Sequence, residues 1–164
     1  MQAEVVTDGT PIPGTEYAMA DTTSEVRTVL DRRSEAAWAK DIDRLMALYA
    51  PEVVYYDVVP PLQYVGSGAL RDRFLHWFDG WTSPIGLAPG EVTIQASGDV
   101  AAAHMLIRAS GTLRTGRDVD YWVRASNSLR RSEHGWLITH EHISLPIELP
   151  AGTAVMDLEP DSGR

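Results

Sequence analysis

The second half of the chain is a series of strand patterns separated by glycine turns, and this feature constrains the fold most. The β-rich stretches end at Ser97-Gly98-Asp99, at Thr115-Gly116 and at Glu133-His134-Gly135. Short turns of this kind join neighbouring antiparallel strands. The pattern therefore predicts a meander of four strands, over residues 91–96, 100–111, 118–130 and 136–144.

The first half of the chain has helical periodicity instead. Apolar residues recur at spacings of three and four after residue 21, after Asp41 and after Ser67, and a β-rich stretch covers residues 53–59. Helices that precede an antiparallel sheet give an α+β fold. We expect three helices inside a curved antiparallel sheet, which leaves a cone-shaped cavity.

The length of 164 residues suits one domain. Residues 1–20 contain Gly9, Pro11, Pro13 and Gly14 and show no periodicity, so they predict a flexible N-terminal arm. The domain is predicted over residues 21–150. Residues 151–164 are predicted to form an acidic, largely unstructured tail.

Composition excludes several classes of function. The chain has no cysteine, which excludes disulfides and thiolate chemistry. Its net charge of −9 disfavours nucleic acid as a partner. The sequence has no run of eighteen apolar residues, and MQAEVVTDGT is not typical of a secretory signal. We expect a cytoplasmic protein that acts on a small molecule, away from membranes.

The last predicted strand places histidines beside large apolar side chains. With a period of two, one face of this strand carries Trp136, Ile138, His140, His142 and Ser144. Imidazole titrates near neutral pH and can act as an acid or a base. Because Trp136 and Ile138 should be buried, the pattern favours a stripe facing the cavity. The alternative is a polar stripe facing solvent.

The second strand of the meander offers matching groups. His104 and Arg108 alternate there with Met105 and Ile107. We predict that the polar pair faces the cavity and that the apolar pair faces outward. An outward apolar patch is uncommon on monomers, so the pattern predicts a homodimer whose interface also includes Tyr121 and Val123 on the next strand.

Two segments carry a family resemblance, DIDRLMALYAPEVVYYD at residues 41–57 and WLITHEHISLP at residues 136–146. They resemble the SnoaL-like and ketosteroid-isomerase-like branch of the nuclear transport factor two superfamily, over roughly residues 24–149. The resemblance implies a cone-shaped α+β fold with a deep pocket. Its members include isomerases, polyketide cyclases, epoxide hydrolases, epoxide-opening cyclases and non-catalytic association domains, so the fold leaves the function open.

The resemblance also implies roles for individual residues. Asp57 matches the aspartate that serves as general base in ketosteroid isomerases, and an apolar pocket would raise its basicity. The W-V-R pattern at residues 122–124 suggests that Arg124 points inward. The alternatives are a solvated aspartate at a strand end and an arginine held in a structural salt bridge. On helix one this chain has Arg33 and Ser34 where the isomerases have an oxyanion-hole tyrosine, so a strict steroid isomerase is not expected.

These observations predict an isomerase or cyclase that acts on a carbonyl or polyketide-like compound without a cofactor. Asp57 would be the base, His140 and His142 the acids or oxygen ligands, and His104 and Arg124 would orient negative charge. Substrate contacts are predicted for Tyr55, Trp38, Arg108, Trp122 and Ser144. Epoxide opening and a non-catalytic binding or dimerisation domain are the alternatives. Asp57 and the three histidines could in principle bind zinc or iron, but an arginine in the same cavity opposes a cation, so we predict no metal.

Overall fold

The computed structural model describes residues 13–161, with side chains described from residue 21 onward. The first half of the chain contains α1 (Pro13–Trp38), α2 (Ile42–Met46), β1 (Tyr49–Tyr56), β2 (Tyr64–Val65) and α3 (Ser67–Asp79). The second half contains β3 (Gly86–Pro89), β4 (Thr93–Ser97), β5 (Val100–Thr112), β6 (Asp118–Ser132), β7 (Gly135–Ser144), β8 (Ile147–Glu148) and β9 (Thr153–Ala154). The α+β class and the curved sheet are confirmed.

The main sheet has the strand order β2-β1-β7-β6-β5-β3, and β4 pairs with β5 beside β3. β5, β6 and β7 form the antiparallel meander that the glycine turns predict. β1 runs parallel to β7, so the prediction of a wholly antiparallel sheet was wrong at this pair. A tight turn forces two strands to be antiparallel. No turn joins β1 to β7, because α3 and the meander lie between them, and the sequence therefore leaves their direction open.

The helices pack on one face of the sheet, which we call the inner face. Met105, Ile107 and Val123 are buried there in one cluster with helix residues such as Leu30 and Phe74. The prediction that Met105, Ile107, Tyr121 and Val123 face outward was therefore wrong. The homodimer itself stays a prediction. A sheet covered on one side turns its apolar face to the helices, and the polar pair His104 and Arg108 on β5 had suggested the reverse.

Both ends of the predicted domain differ from expectation. α1 begins at Pro13 and so includes residues 13–20 of the predicted arm, while residues 1–12 lie outside the described residues. The predicted tail contains β9, which pairs with β8 in a small antiparallel hairpin. Beyond it, Met156 and Leu158 lie near Arg108 and Trp122 on the face of the sheet that the helices leave open, here called the outer face. Residues 162–164 are also outside the described residues.

One strand of the main sheet falls in a segment predicted as a loop. β3 includes Gly86 and Pro89, two residues typical of turns, and pairs with β5 at the margin of the sheet. Proline is tolerated on such an edge strand because it has no amide hydrogen to donate. Among the described helices, none has the length and apolar character needed to cross a membrane.

Candidate active site

An irregularity in β7 decides which of its side chains face inward. Leu129 on β6 is opposite Ile138, but the preceding residue, Ser128, is opposite His140. Thr139 is therefore an extra residue, a β-bulge, and the alternation of faces reverses after it. Trp136 and Ile138 are buried before the bulge, and Glu141 and Ile143 are buried after it. The predicted stripe is thus divided, and its histidines do not share a face with Trp136.

The predicted polar site residues of the meander lie on the outer face. His104 is opposite Ser126, and Ser126 is opposite His142, so these three form a row across the outer face. The exposed residues of this face include His104, Arg108, Arg124 and His142. Their predicted position in the cavity was wrong, because the buried face of these strands is the apolar one.

The other predicted contacts are also outside the cavity. Arg108 forms a bidentate ion pair with Asp120, with Nε 2.7 Å from Oδ1. The Nδ1 atom of His140 lies 2.8 Å from the carbonyl oxygen of Val54. Further residues outside the cavity are Trp122 and Ser144, which lie on the outer face, and Trp38, which is 57% exposed at the end of α1.

A cavity of about 240 Å³ lies between the helices and the inner face of the sheet. This is many times the roughly 10–15 Å³ that such a cavity needs to hold one water molecule, so it suits a small ligand. Most of its wall is apolar and aromatic: Val58, Val59, Phe74, Trp77, Trp81, Leu87, Ile107, Ala109, Leu113, Tyr121, Val123 and Ile143. Of the predicted site residues, Asp57 and Tyr55 line this cavity.

Asp57 is held at the cavity wall by a nearly buried ion pair. Its Oδ2 atom is 2.6 Å from Nε of Arg73 on α3, and its Oδ1 atom accepts a 2.6 Å hydrogen bond from the backbone amide of Val58. The side chains of Asp57 and Arg73 are 5% and 12% exposed. Sequence reasoning missed Arg73, although it lies within the apolar stripe of its helix, three residues after Leu70 and four before Trp77.

A second buried network lies at another part of the wall. Arg33 on α1 donates from Nε to the Tyr49 hydroxyl at 2.9 Å and to Oε2 of Glu141 at 3.0 Å. Its Nη2 atom is 2.7 Å from Oε1 of Glu141, so the arginine and the carboxylate form a bidentate pair. The Tyr49 hydroxyl also donates to Glu141. Sequence reasoning missed this network, although Arg33 lies in the apolar stripe of α1, which was the available signal.

The buried position of these groups changes their acidity. Burial opposes the charge of Arg33, but the negative charge of Glu141 and the hydrogen bond to Tyr49 outweigh it and raise the pKa of Arg33 above its usual range. Burial, together with the charge of Glu141, raises the pKa of Tyr49 and of Tyr55 well above 10. Burial also raises the pKa of Tyr121. These phenols therefore keep their protons at neutral pH and act as hydrogen-bond donors.

Tyr55 lies between the two ion pairs. The negative charges of Glu141 and Asp57 raise the pKa of Tyr55, and the positive charges of Arg33 and Arg73 lower it. None of the hydrogen bonds among the described residues uses its hydroxyl, which is therefore available to a ligand in the cavity. The arrangement places a carboxylate that can accept a proton near a phenol that can donate one.

In residues 21–161, no group of three or more histidine, aspartate or glutamate side chains is arranged to hold a metal ion. Asp57 faces inward, whereas the three histidines that could in principle join it as metal ligands lie on the outer face. The two arginines nearest the cavity are each paired with a carboxylate.

Comparison with known proteins identifies the family. The family model of the SnoaL-like domain matches residues 26–148. A search of curated proteins gives no match. Among solved structures, the chain is similar to a nuclear transport factor 2 (NTF2)-like protein from Pseudomonas putida KT2440. The two are 30% identical, with a TM-score of 0.77, over 84% of this chain and 95% of that one.

More distant structures share the fold. An NTF2-like superfamily protein from Salmonella enterica has 18% identity and a TM-score of 0.72, over 84% of this chain and 99% of its own. A ketosteroid isomerase-like protein from Erwinia carotovora has 22% identity and a TM-score of 0.65, over 74% and 93%. At this level of identity, the likeness concerns the fold alone.

Proposed function

Because the chain belongs to the SnoaL-like family, we propose that it is a small-molecule enzyme that moves a proton within the inner cavity. The reaction class is an isomerisation or cyclisation of a carbonyl or polyketide-like compound, without a cofactor. The observation that carries this proposal is the Asp57 carboxylate, which is 5% exposed and lines an apolar cavity. A carboxylate in such a site can remove a proton from the carbon next to a carbonyl group.

Each polar group at the wall has a distinct task in this proposal. Arg73 and the Val58 amide fix the orientation of the Asp57 carboxylate. Tyr55, near the end of β1, and Asp57, just after the strand, both line the cavity, so one ligand can contact both. The Tyr55 phenol donates a hydrogen bond to the carbonyl oxygen, where negative charge develops.

The two outcomes of this chemistry differ in where the carbanion reacts. An isomerase returns the proton from Asp57 to a different carbon. A cyclase lets the carbanion attack a second carbonyl group of the same molecule. In both cases the acid role assigned to His140 and His142 passes to Tyr55, because the histidines lie outside the cavity.

The test is a hydrogen–deuterium exchange reaction on a small ketone. We expect the protein to accelerate deuterium uptake at the acidic α-carbons of 2-tetralone in D2O, followed by NMR. The Asp57→Asn variant should lose this acceleration by about two to four orders of magnitude, the usual contribution of general acid–base catalysis. Circular dichroism verifies that the variant is folded.

Asp120→Asn is the matched control. It makes the same chemical change in an aspartate that is also paired with an arginine, Arg108, but on the exposed outer face. We expect it to exchange deuterium at the wild-type rate. Full activity of Asp57→Asn, or a wild-type rate no faster than buffer alone, would contradict the proposal. The first result would favour a binding role for the cavity residues.

A further inference from the structure

The Arg33 guanidinium has donor capacity that the protein does not use. A guanidinium carries five N–H donors. Nε and Nη2 bond to Glu141 and Tyr49, whereas Nη1 bonds to none of the described residues. In residues 21–161 the one buried side-chain nitrogen or oxygen without a partner is Nδ2 of Asn127, so Nη1 is not sealed inside the protein. Arg33 lines the cavity, which is the open space available to this donor.

The three charged side chains that line the cavity, together with Glu141 paired to one of them, carry no net charge. The positive charge of Arg33 is balanced by Glu141, and that of Arg73 is balanced by Asp57. A ligand carboxylate would bring an uncompensated negative charge into an apolar site, which is unfavourable. A neutral oxygen acceptor can take the hydrogen bonds of Arg33 without that penalty.

We infer that the cavity selects uncharged ligands carrying a carbonyl oxygen over carboxylates of the same shape, and that Glu141 sets this preference by neutralising Arg33. This inference rests on the proposed function in taking the cavity as the substrate site. It adds the charge class of the substrate and two residues that determine it. Arg33 touches the ligand oxygen, whereas Glu141 acts through Arg33.

Two probes of the same shape test the preference. Acetophenone has a methyl group where benzoate has a charged oxygen. The dissociation constants of both can be measured by ligand-detected NMR at pH 7.5. The wild-type protein should bind acetophenone more tightly. Glu141→Gln keeps the side-chain shape but leaves Arg33 with a net positive charge. The affinity for benzoate should therefore rise by about tenfold or more relative to the affinity for acetophenone.

A matched variant separates this local effect from the change in overall charge. Glu52 pairs with Arg130 on the exposed outer face, where the glutamate side chain is 59% exposed. Glu52→Gln makes the same chemical change, and its probe ratio should stay within about twofold of wild type, because exposed pairs are screened by solvent. An unchanged ratio in folded Glu141→Gln would overturn the inference. Failure of the wild-type protein to bind acetophenone would also overturn it.

A second variant covers the case in which Glu141→Gln does not fold. Arg33→Met/Glu141→Leu replaces the pair with apolar side chains of similar volume, a change that buried ion pairs often tolerate. This double variant removes the Arg33 donor and leaves the Tyr55 hydroxyl in place. Acetophenone should then lose about fivefold in affinity relative to isopropylbenzene, which has a methyl group in place of the oxygen. An unchanged ratio would again contradict the inference.

The two proposals fail in different measurements. If deuterium exchange does not depend on Asp57 while the probe ratio moves in Glu141→Gln, the proton-transfer function is wrong and the charge selection stands. If exchange depends on Asp57 and the probe ratio does not move, the charge selection is wrong and the proton-transfer function stands.

Discussion

On the inner face of the sheet, charged side chains are buried and paired, whereas on the outer face they are exposed, with or without a partner. The side chains of Arg33 and Glu141 are 7% and 1% exposed, and those of Arg108 and Asp120 are 53% and 50% exposed. Both are bidentate pairs between the same kinds of groups. The comparison teaches that the burial of an ion pair, more than its geometry, determines how much breaking it costs in stability.

The largest effect on stability should come from breaking the inner pair. Glu141→Ala leaves the buried Arg33 charge without a partner, which should lower the free energy of unfolding by about 3–5 kcal/mol. Glu52→Ala breaks an exposed outer-face pair with Arg130 and should lower it by about 0–1 kcal/mol. Urea denaturation of both variants measures the difference. Similar losses in the two variants would remove the contrast between the faces.

The second effect in size should come from alkaline pH, which should lower the free energy of unfolding. The pKa values of Tyr49 and Tyr55 are well above 10 in the folded protein, so folding favours their protonated forms. Their contribution is fully present below the unfolded pKa near 10. It is lost as the pH rises above that value, at about 1.4 kcal/mol per pH unit for each tyrosine.

Urea denaturation between pH 8 and pH 11 tests this expectation. The wild-type free energy of unfolding should fall above pH 10, and Tyr55→Phe should show a shallower fall. Equal slopes in the wild type and the variant would show that Tyr55 is not involved.

Substitutions on the outer face should have the smallest effects. His104→Ala and His142→Ala change exposed side chains and should alter the free energy of unfolding by no more than about 0.5 kcal/mol. His140→Ala should cost about 1 kcal/mol, because His140 has the Val54 carbonyl as a hydrogen-bond partner. None should change acetophenone binding beyond about twofold. A large loss of binding would place the site on the outer face.

Sequence reasoning reached the order of the elements and the family, because helical and alternating patterns and glycine turns are local signals. It also identified Asp57 and Tyr55, which the structure places on the cavity wall. It misplaced His140 and His142 because a period of two cannot register an extra residue in a strand. Arg73 was missed because its partner Asp57 follows a strand, whereas Arg73 is on the next helix, so their contact depends on tertiary packing.

The bulge at Thr139 has a consequence for how this protein relates to its relatives in evolution. The Thr139 hydroxyl bonds to the carbonyl oxygen of Ser128, so the extra residue is anchored to the neighbouring strand. Loss of that one residue by deletion would restore a regular strand and leave Glu141 inward and His142 outward, because Ile138 and His140 already lie opposite the adjacent residues Leu129 and Ser128. A relative that lacks the extra residue and is aligned from Trp136 without a gap would have its inward-facing residues matched to His140 and His142, which face outward here. In relatives, the phase of the strand must therefore be established before aligned residues are compared.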